Sequence, residues 1–190
     1  MQITPTKISG SFVVTPQAFP DERGTFLELF KAPNLAAQTG RDFTLAQMNC
    51  SVSARGVVRG IHFADVSLGQ NKYVTCVAGS ILDVVVDIRV GSPTFGQWNS
   101  VVLDTGDRRA VYVAEGLGHA FLALEDDSTI MYLCGAAFEP SREHEINPLD
   151  PRIGIQWPTD VDLIVSEKDR LAPTLAEALA AGTLPAFASS

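Results

Sequence analysis

Three histidines, His62, His119 and His144, are the first residues to weigh in this 190-residue chain. An imidazole titrates near neutral pH and can take or give a proton there. His62 follows Arg59-Gly60-Ile61 in an apolar stretch, and His119 closes the run Glu-Gly-Leu-Gly-His at 115–119, just before another. A polar ring where a short strand meets a glycine turn often faces a cavity. His144 stands between Glu143 and Glu145 and reads as a surface residue.

Metal chemistry finds no ligand set. His62 is followed by Phe63 and Ala64 with no second histidine, and no HxxxH pair occurs. Cys50, Cys76 and Cys134 form neither a CxxC knuckle nor a disulfide framework, and read as small buried hydrophobes. No phosphate loop, dinucleotide fingerprint or GxSxG nucleophile elbow is present. What remains is a metal-free set. His62 is an available base, and Lys72 can present an ammonium. Tyr132 lies in a mostly apolar strand, where a core aromatic is the ordinary reading and a site role the alternative. Asp83 and Asp169 can each orient a histidine. Arg23 and Arg59 can hold a phosphate through charge-assisted hydrogen bonds. Pattern alone does not assemble these residues.

The elements that must position them are mostly short strands. Strand character is expected over 7–14, 25–30, 43–51, 57–63, 72–90, 97–103, 109–113, 120–124 and 129–134. The clearest signal is Asp83, Val85, Asp87 and Arg89 alternating with Val84, Val86, Ile88 and Val90. This period of two makes one face wholly apolar and the other mixed. Helices are expected at 33–39, closed by Gly40, and at 173–181. In the second, Pro173 fits the first turn, Leu175 and Leu179 sit four apart, and Gly182 is the stop. Short strands between Gly/Asp turns, without βαβ units, argue an all-β barrel or sandwich in one domain.

Composition narrows the function classes. Hydrophobic residues make up 46% of the chain and charged ones 19%, enough apolar content for a real core. A net charge of -8 with no basic run argues against nucleic acid as partner. No stretch approaches the ~20 apolar residues that span a bilayer, and the first residues show no secretory pattern. The expected location is cytoplasmic.

Several segments together resemble the dTDP-4-dehydrorhamnose 3,5-epimerase family. They are Phe-Pro-Asp-Glu-Arg-Gly at 19–24, Arg-Gly-Ile-His-Phe at 59–63, Lys72, Asp-Val-Val-Val-Asp-Ile-Arg at 83–89, and Ser-Pro-Thr-Phe-Gly-Gln-Trp at 92–98. Gly-Leu-Gly-His-Ala-Phe at 116–121, Tyr132, Gly-Ile-Gln-Trp-Pro at 154–158 and Ser-Glu-Lys-Asp at 166–169 continue the series. The resemblance runs from about residue 3 to about 184 of a single 1–190 epimerase domain. It implies a cupin-like jelly-roll barrel, all-β with short peripheral helices and a C-terminal helix. It implies a homodimer, whose N-terminal segment crosses to the partner, working without metal or coenzyme.

The implied reaction is epimerisation of a dTDP-4-keto-6-deoxyhexose at C3, C5 or both. A proton next to the C4 ketone is abstracted, and another is returned from the opposite face. By resemblance, His62 is the base and Asp169 its partner, Lys72 lies near the keto oxygen, and Tyr132 is the opposite acid. Arg23 and Arg59 hold the diphosphate, Gln47, Asn49 and His119 line the pocket, Phe26 meets the nucleotide end, and Asp83 lies behind His119. Phe138 stands where many relatives carry a Tyr that packs on thymine. That difference, with Cys-Gly-Ala-Ala at 134–137 and Val-Ser-Leu-Gly-Gln at 66–70, makes the chain look closer to antibiotic deoxysugar epimerases. A ketoisomerase on a related nucleotide sugar and a non-catalytic binder are the competing readings.

Overall fold

The computed structural model describes residues 1–188. Its strands in chain order are β1 (Gln2–Pro5), β2 (Ser11–Thr15), β3 (Gln17–Asp21), β4 (Gly24–Glu28), β5 (Gln47–Ser53), β6 (Val57–Ala64) and β7 (Lys72–Ala78). They continue with β8 (Ser80–Asp87), β9 (Trp98–Asp104), β10 (Ala110–Val113), β11 (Leu117–Ala123), β12 (Ser128–Cys134), β13 (Glu143–Glu145) and β14 (Ile164–Val165). The helices are α1 (Ala32–Thr39), α2 (Glu167–Arg170) and α3 (Leu175–Ala180). Among the described residues, no helix is long and apolar enough to cross a membrane.

One sheet has the order β1-β2-β10-β7-β12-β5, the other β13-β6-β11-β8-β9 with β14 also on β6. Among the described residues, β3 and β4 pair only with each other. The expected all-β jelly-roll barrel is therefore corrected. The architecture is a mixed α/β cupin-like fold of open sheets with a few short helices, and no sheet closes on itself. The two large sheets meet through side chains, because no end strand of one pairs with an end strand of the other. Period-two alternation is the same in an open sheet and a closed one, so it could not decide closure.

The alternation in β8 shows how both faces of the second sheet are used. Val84, Val86 and Ile88 pack beneath Leu175 and Ala178 of α3, with Ile146 and Ile153. On the other face Val85 joins Ile81, Leu103 and Phe121 against Val74, Tyr112 and Ile130 of the first sheet. A strand buried on both faces carries polar residues at a cost that hydrogen bonds offset. Asp87 is bonded by Arg89, Ser92 and Thr94, whereas Asp83 is bonded by His119 at Oδ2 and its Oδ1 has no partner among the described residues.

Local signals hold at the helices, with one change. Gly40 caps α1 in the left-handed conformation, its amide donating to the Ala36 carbonyl. Helix α3 starts later than expected. Thr174 is its N-cap, and a reciprocal capping box with Glu177 leaves Pro173 outside the first turn.

Candidate active site

Two adjoining cavities open between the large sheets, of about 280 Å³ and 190 Å³, and both are lined by His62, Lys72 and Tyr132. The second sheet supplies His62 and Arg59 from β6 and His119 from β11. The first supplies Lys72 from β7, Tyr132 and Cys134 from β12, and Gln47, Asn49 and Ser51 from β5. Register explains the grouping on the first sheet. Tyr132 lies opposite Asn49, and Cys134 opposite both Gln47 and Lys72, so these side chains share one face.

On β6 the spacing is less simple. His62 pairs with His119 and Arg59 with Phe121, so three steps along β6 match two along β11. This irregularity puts Arg59 and His62 on the cavity side together, which a regular strand forbids for residues three apart. Gly60 permits it. Its φ is +109°, and a Cβ there would stand 2.5 Å from the His119 carbonyl oxygen.

Each cavity histidine has its own carboxylate. His62 Nε2 lies 2.8 Å from Asp169 Oδ1, and His119 Nε2 lies 2.7 Å from Asp83 Oδ2. Asp169 sits in α2, where its amide donates to the Ser166 hydroxyl that caps the helix. Burial pushes its carboxyl up, but the bonds from His62, Ser166 and the Gly60 amide outweigh this and hold it below the usual range.

Burial pushes the Lys72 ammonium down, opposed in part by Cys134 and Glu143. The described ion pairs take in Lys31 and Lys168 but not Lys72. Burial, with Cys134 next, pushes the Tyr132 phenol up against the opposing pull of Arg59, so it stays protonated at neutral pH. Arg59 donates through Nε to Ser53 Oγ at 3.2 Å. Towards the rim, Phe138 donates its amide to Gln47 Oε1 at 2.8 Å and is 61% exposed. Gln47 in turn donates to Asn49 Oδ1 at 2.7 Å.

The structure thus brings together His62, Lys72, Tyr132, Asp169, Arg59, His119, Asp83, Gln47, Asn49 and Phe138. It leaves out Arg23 and Phe26. Both lie on the β3–β4 hairpin, where Arg23 is bound to Asp21 and Phe26 is 71% exposed beside Phe19. His144 corrects the surface reading. It borders the larger cavity, stacks on Phe63 and bonds Asp65 at 2.8 Å.

Ser51, Gln70, Cys134, Glu143, Glu145 and Lys168 also line the cavities and were not singled out from the sequence. Cys134 and Ser51 stand two residues beyond Tyr132 and Asn49, so strand period was a usable signal for them. Gln70 lies in a connection, which has no such period. Among the described residues, no group of three or more His, Cys, Asp or Glu is placed to hold a metal ion.

Comparison with known proteins identifies the family. The sequence model of the dTDP-4-dehydrorhamnose 3,5-epimerase family matches residues 5–177. A dTDP-4-dehydrorhamnose 3,5-epimerase of Mycolicibacterium smegmatis is 58% identical over 181 residues, 95% of this chain and 89% of that one. A dTDP-4-dehydrorhamnose 3-epimerase of Streptomyces niveus is 50% identical over 189 residues, 100% of this chain and 91% of that one. Among solved structures, a 4-keto-6-deoxy sugar epimerase from the novobiocin cluster of Streptomyces spheroides superposes with a TM-score of 0.95 at 50% identity. That match covers 98% of this chain and 94% of the other. With near-complete coverage at such identity, the chain belongs to the dTDP-4-dehydrorhamnose 3,5-epimerase family and is an isomerase of dTDP-4-keto-6-deoxyhexoses.

Proposed function

We propose that His62 removes a proton next to the C4 ketone of the bound hexose and that Tyr132 returns one from the other side. The observation that carries this is the opposition of the two sheets: a histidine bonded to a buried carboxylate on one, a neutral phenol and the Lys72 ammonium on the other. A carboxylate accepting from Nε2–H leaves Nδ1 as the basic nitrogen of His62. The ketone acidifies C3 and C5, and deprotonation turns its oxygen into an enolate. Lys72 stabilises that charge more than it stabilises the neutral ketone, which is what lowers the barrier. The lysine supplies the positive charge, so the step calls for neither metal nor coenzyme. Asp169 supports the imidazolium that results.

Arg59, steadied by Ser53, holds the diphosphate, and Gln47, Asn49 and Phe138 take the nucleotide end. His119, backed by Asp83, lines the sugar subsite. C3 is the position shared by the reactions of the 3,5-epimerase and 3-epimerase relatives, so we place inversion there first. The hairpin β3–β4 exposes Phe19 and Phe26 and, among the described residues, pairs with no other strand. A homodimer in which it covers the partner's cavity gives Arg23 and Phe26 their role. Three free thiols and a nucleotide-sugar substrate fit a reducing cytoplasm, with residues 1–190 acting as one epimerase unit.

Incubation with dTDP-4-keto-6-deoxyglucose in heavy water tests the reading by NMR. Deuterium and inversion at C3 with the ketone still at C4 are expected. A ketone that moves, or an absence of exchange, would overturn it.

A further inference from the structure

The aspartate that partners His62 is carried by a helix too short to hold its own place. α2 is a single turn, Glu167–Arg170, and an isolated helix of that length is not stable in water. Asp169 Oδ1 nevertheless lies 2.8 Å from His62 Nε2, with its side chain only 6% exposed. The two residues are 107 positions apart in the chain, so whatever fixes α2 against β6 sets the geometry of the pair.

Each end of α2 is tied to β6 through one side chain. At the start, Ile164 and Val165 of β14 pair in parallel with Val57 and Val58 of β6. Ser166 follows directly, and its hydroxyl accepts from the Asp169 amide at 3.0 Å, so the cap relays the position of β14 to Asp169. At the far end, Asn147 Nδ2 donates to the Arg170 carbonyl at 2.8 Å. Asn147 is itself held. Its Oδ1 accepts from the Leu149 amide at 2.8 Å, and its amide donates to the Pro173 carbonyl at 2.9 Å. The residue before it, Ile146, exchanges two backbone bonds with Ile61, the neighbour of His62, at 3.1 and 2.9 Å. Lys168 also pairs with Glu145, but a lysine side chain 71% exposed adds little restraint.

We propose that Ser166 and Asn147 are positioning residues for the epimerisation: from the two ends of α2 they hold the Asp169 carboxylate where it orients His62. The inference rests on the roles proposed above for His62 and Asp169. Neither Ser166 nor Asn147 lines the two cavities, so substrate binding does not depend on them directly. A carboxylate that drifts loses its alignment with Nε2–H, and proton abstraction slows. Exchange and inversion both begin with that abstraction, so they fall together.

The test uses the full chain with dTDP-4-keto-6-deoxyglucose in heavy water and follows exchange and inversion on one sample. Ser166→Ala should slow both by about tenfold while KM stays within about twofold. Ser166→Thr, which keeps the capping hydroxyl, should restore most of the rate. Asn147→Ala should act in the same direction by about threefold. Where Ser166→Ala does not fold, Ser166→Gly, which caps nearly as well without a hydroxyl, replaces it. A double-mutant cycle separates positioning from general loosening: in an Asp169→Asn background each change should cost less than about twofold. Wild-type turnover in the folded Ser166 and Asn147 variants, or losses that multiply in full with that of Asp169→Asn, would overturn the inference while leaving the epimerase reading intact. Full activity in Asp169→Asn, or wild-type protein showing neither exchange nor inversion, would overturn that reading and this inference with it.

Discussion

His62 and His119 are direct cross-strand partners, and each is bonded through Nε2 to a different buried aspartate. They differ in access: the His62 side chain is 40% exposed and that of His119 is 11%. The more open ring is the one proposed above as the base. The closed one is held by Asp83 within the sheet and lines the cavity without being free to swing.

Replacing the base should be the most damaging change at the site. His62→Ala is expected to cut turnover by about 100-fold or more with the fold retained. Asp169→Asn should also lower turnover, because an amide neither fixes the Nε2–H tautomer as strongly nor supports the imidazolium. Steady-state rates beside near-UV circular dichroism check both, and a folded His62→Ala variant of normal activity would remove the assignment.

Tyr132→Phe separates the two half-reactions. The ring and its packing stay, and the proton goes. Exchange by His62 should continue while inversion becomes much slower. If water or another residue supplies the second proton, inversion will persist at the normal rate. If the phenol instead shapes the pocket, both will fall together.

Acid should loosen the fold through carboxyls held low in the native state. Burial pushes Asp87 up, but the bonds from Arg89, Ser92 and Thr94 outweigh it and the net shift is down. A depressed folded pKa contributes stability above the unfolded value of ~3.9, and that contribution is lost as pH falls through the folded value. Asp87→Asn leaves Arg89 buried without its partner and should cost roughly 3–5 kcal/mol near neutral pH. The gap in Tm between variant and wild type should narrow below about pH 4. A gap that is constant with pH would contradict this account.

Assembly should be visible by light scattering as about twice the chain mass of 20.4 kDa. Phe26→Asp, on the exposed hairpin, should weaken both the dimer and substrate binding. A dilution-independent monomer with full activity would exclude the arrangement.

How far the sequence could be read follows from what its patterns encode. Alternation around Asp83–Ile88 placed the strand and its mixed face, but the expected 72–90 stretch is two strands, β7 and β8, and β8 ends at Asp87. The pairing of His62 with Asp169 is 107 residues long, and only the resemblance supplied it. Sheet closure was misjudged because it depends on which edges meet, and no local period carries that. His144 was misread because two flanking glutamates resemble a solvated loop. In the structure this segment is an edge strand, and its middle residue turns toward Phe63.

The irregular pairing of β6 with β11 has a consequence for which lengths of chain the protein can tolerate. Between Arg59 and His62, removing one residue would restore an even ladder with both side chains still on one face, whereas adding one would set four steps on β6 against two on β11 and demand a wider bulge. Sequence drift there is thus closed to insertions, and Gly60 narrows the substitutions as well. A few residues later, the 65–71 connection has no ladder to keep in step. Insertions among relatives should therefore gather in that connection and be missing from the stretch just before it.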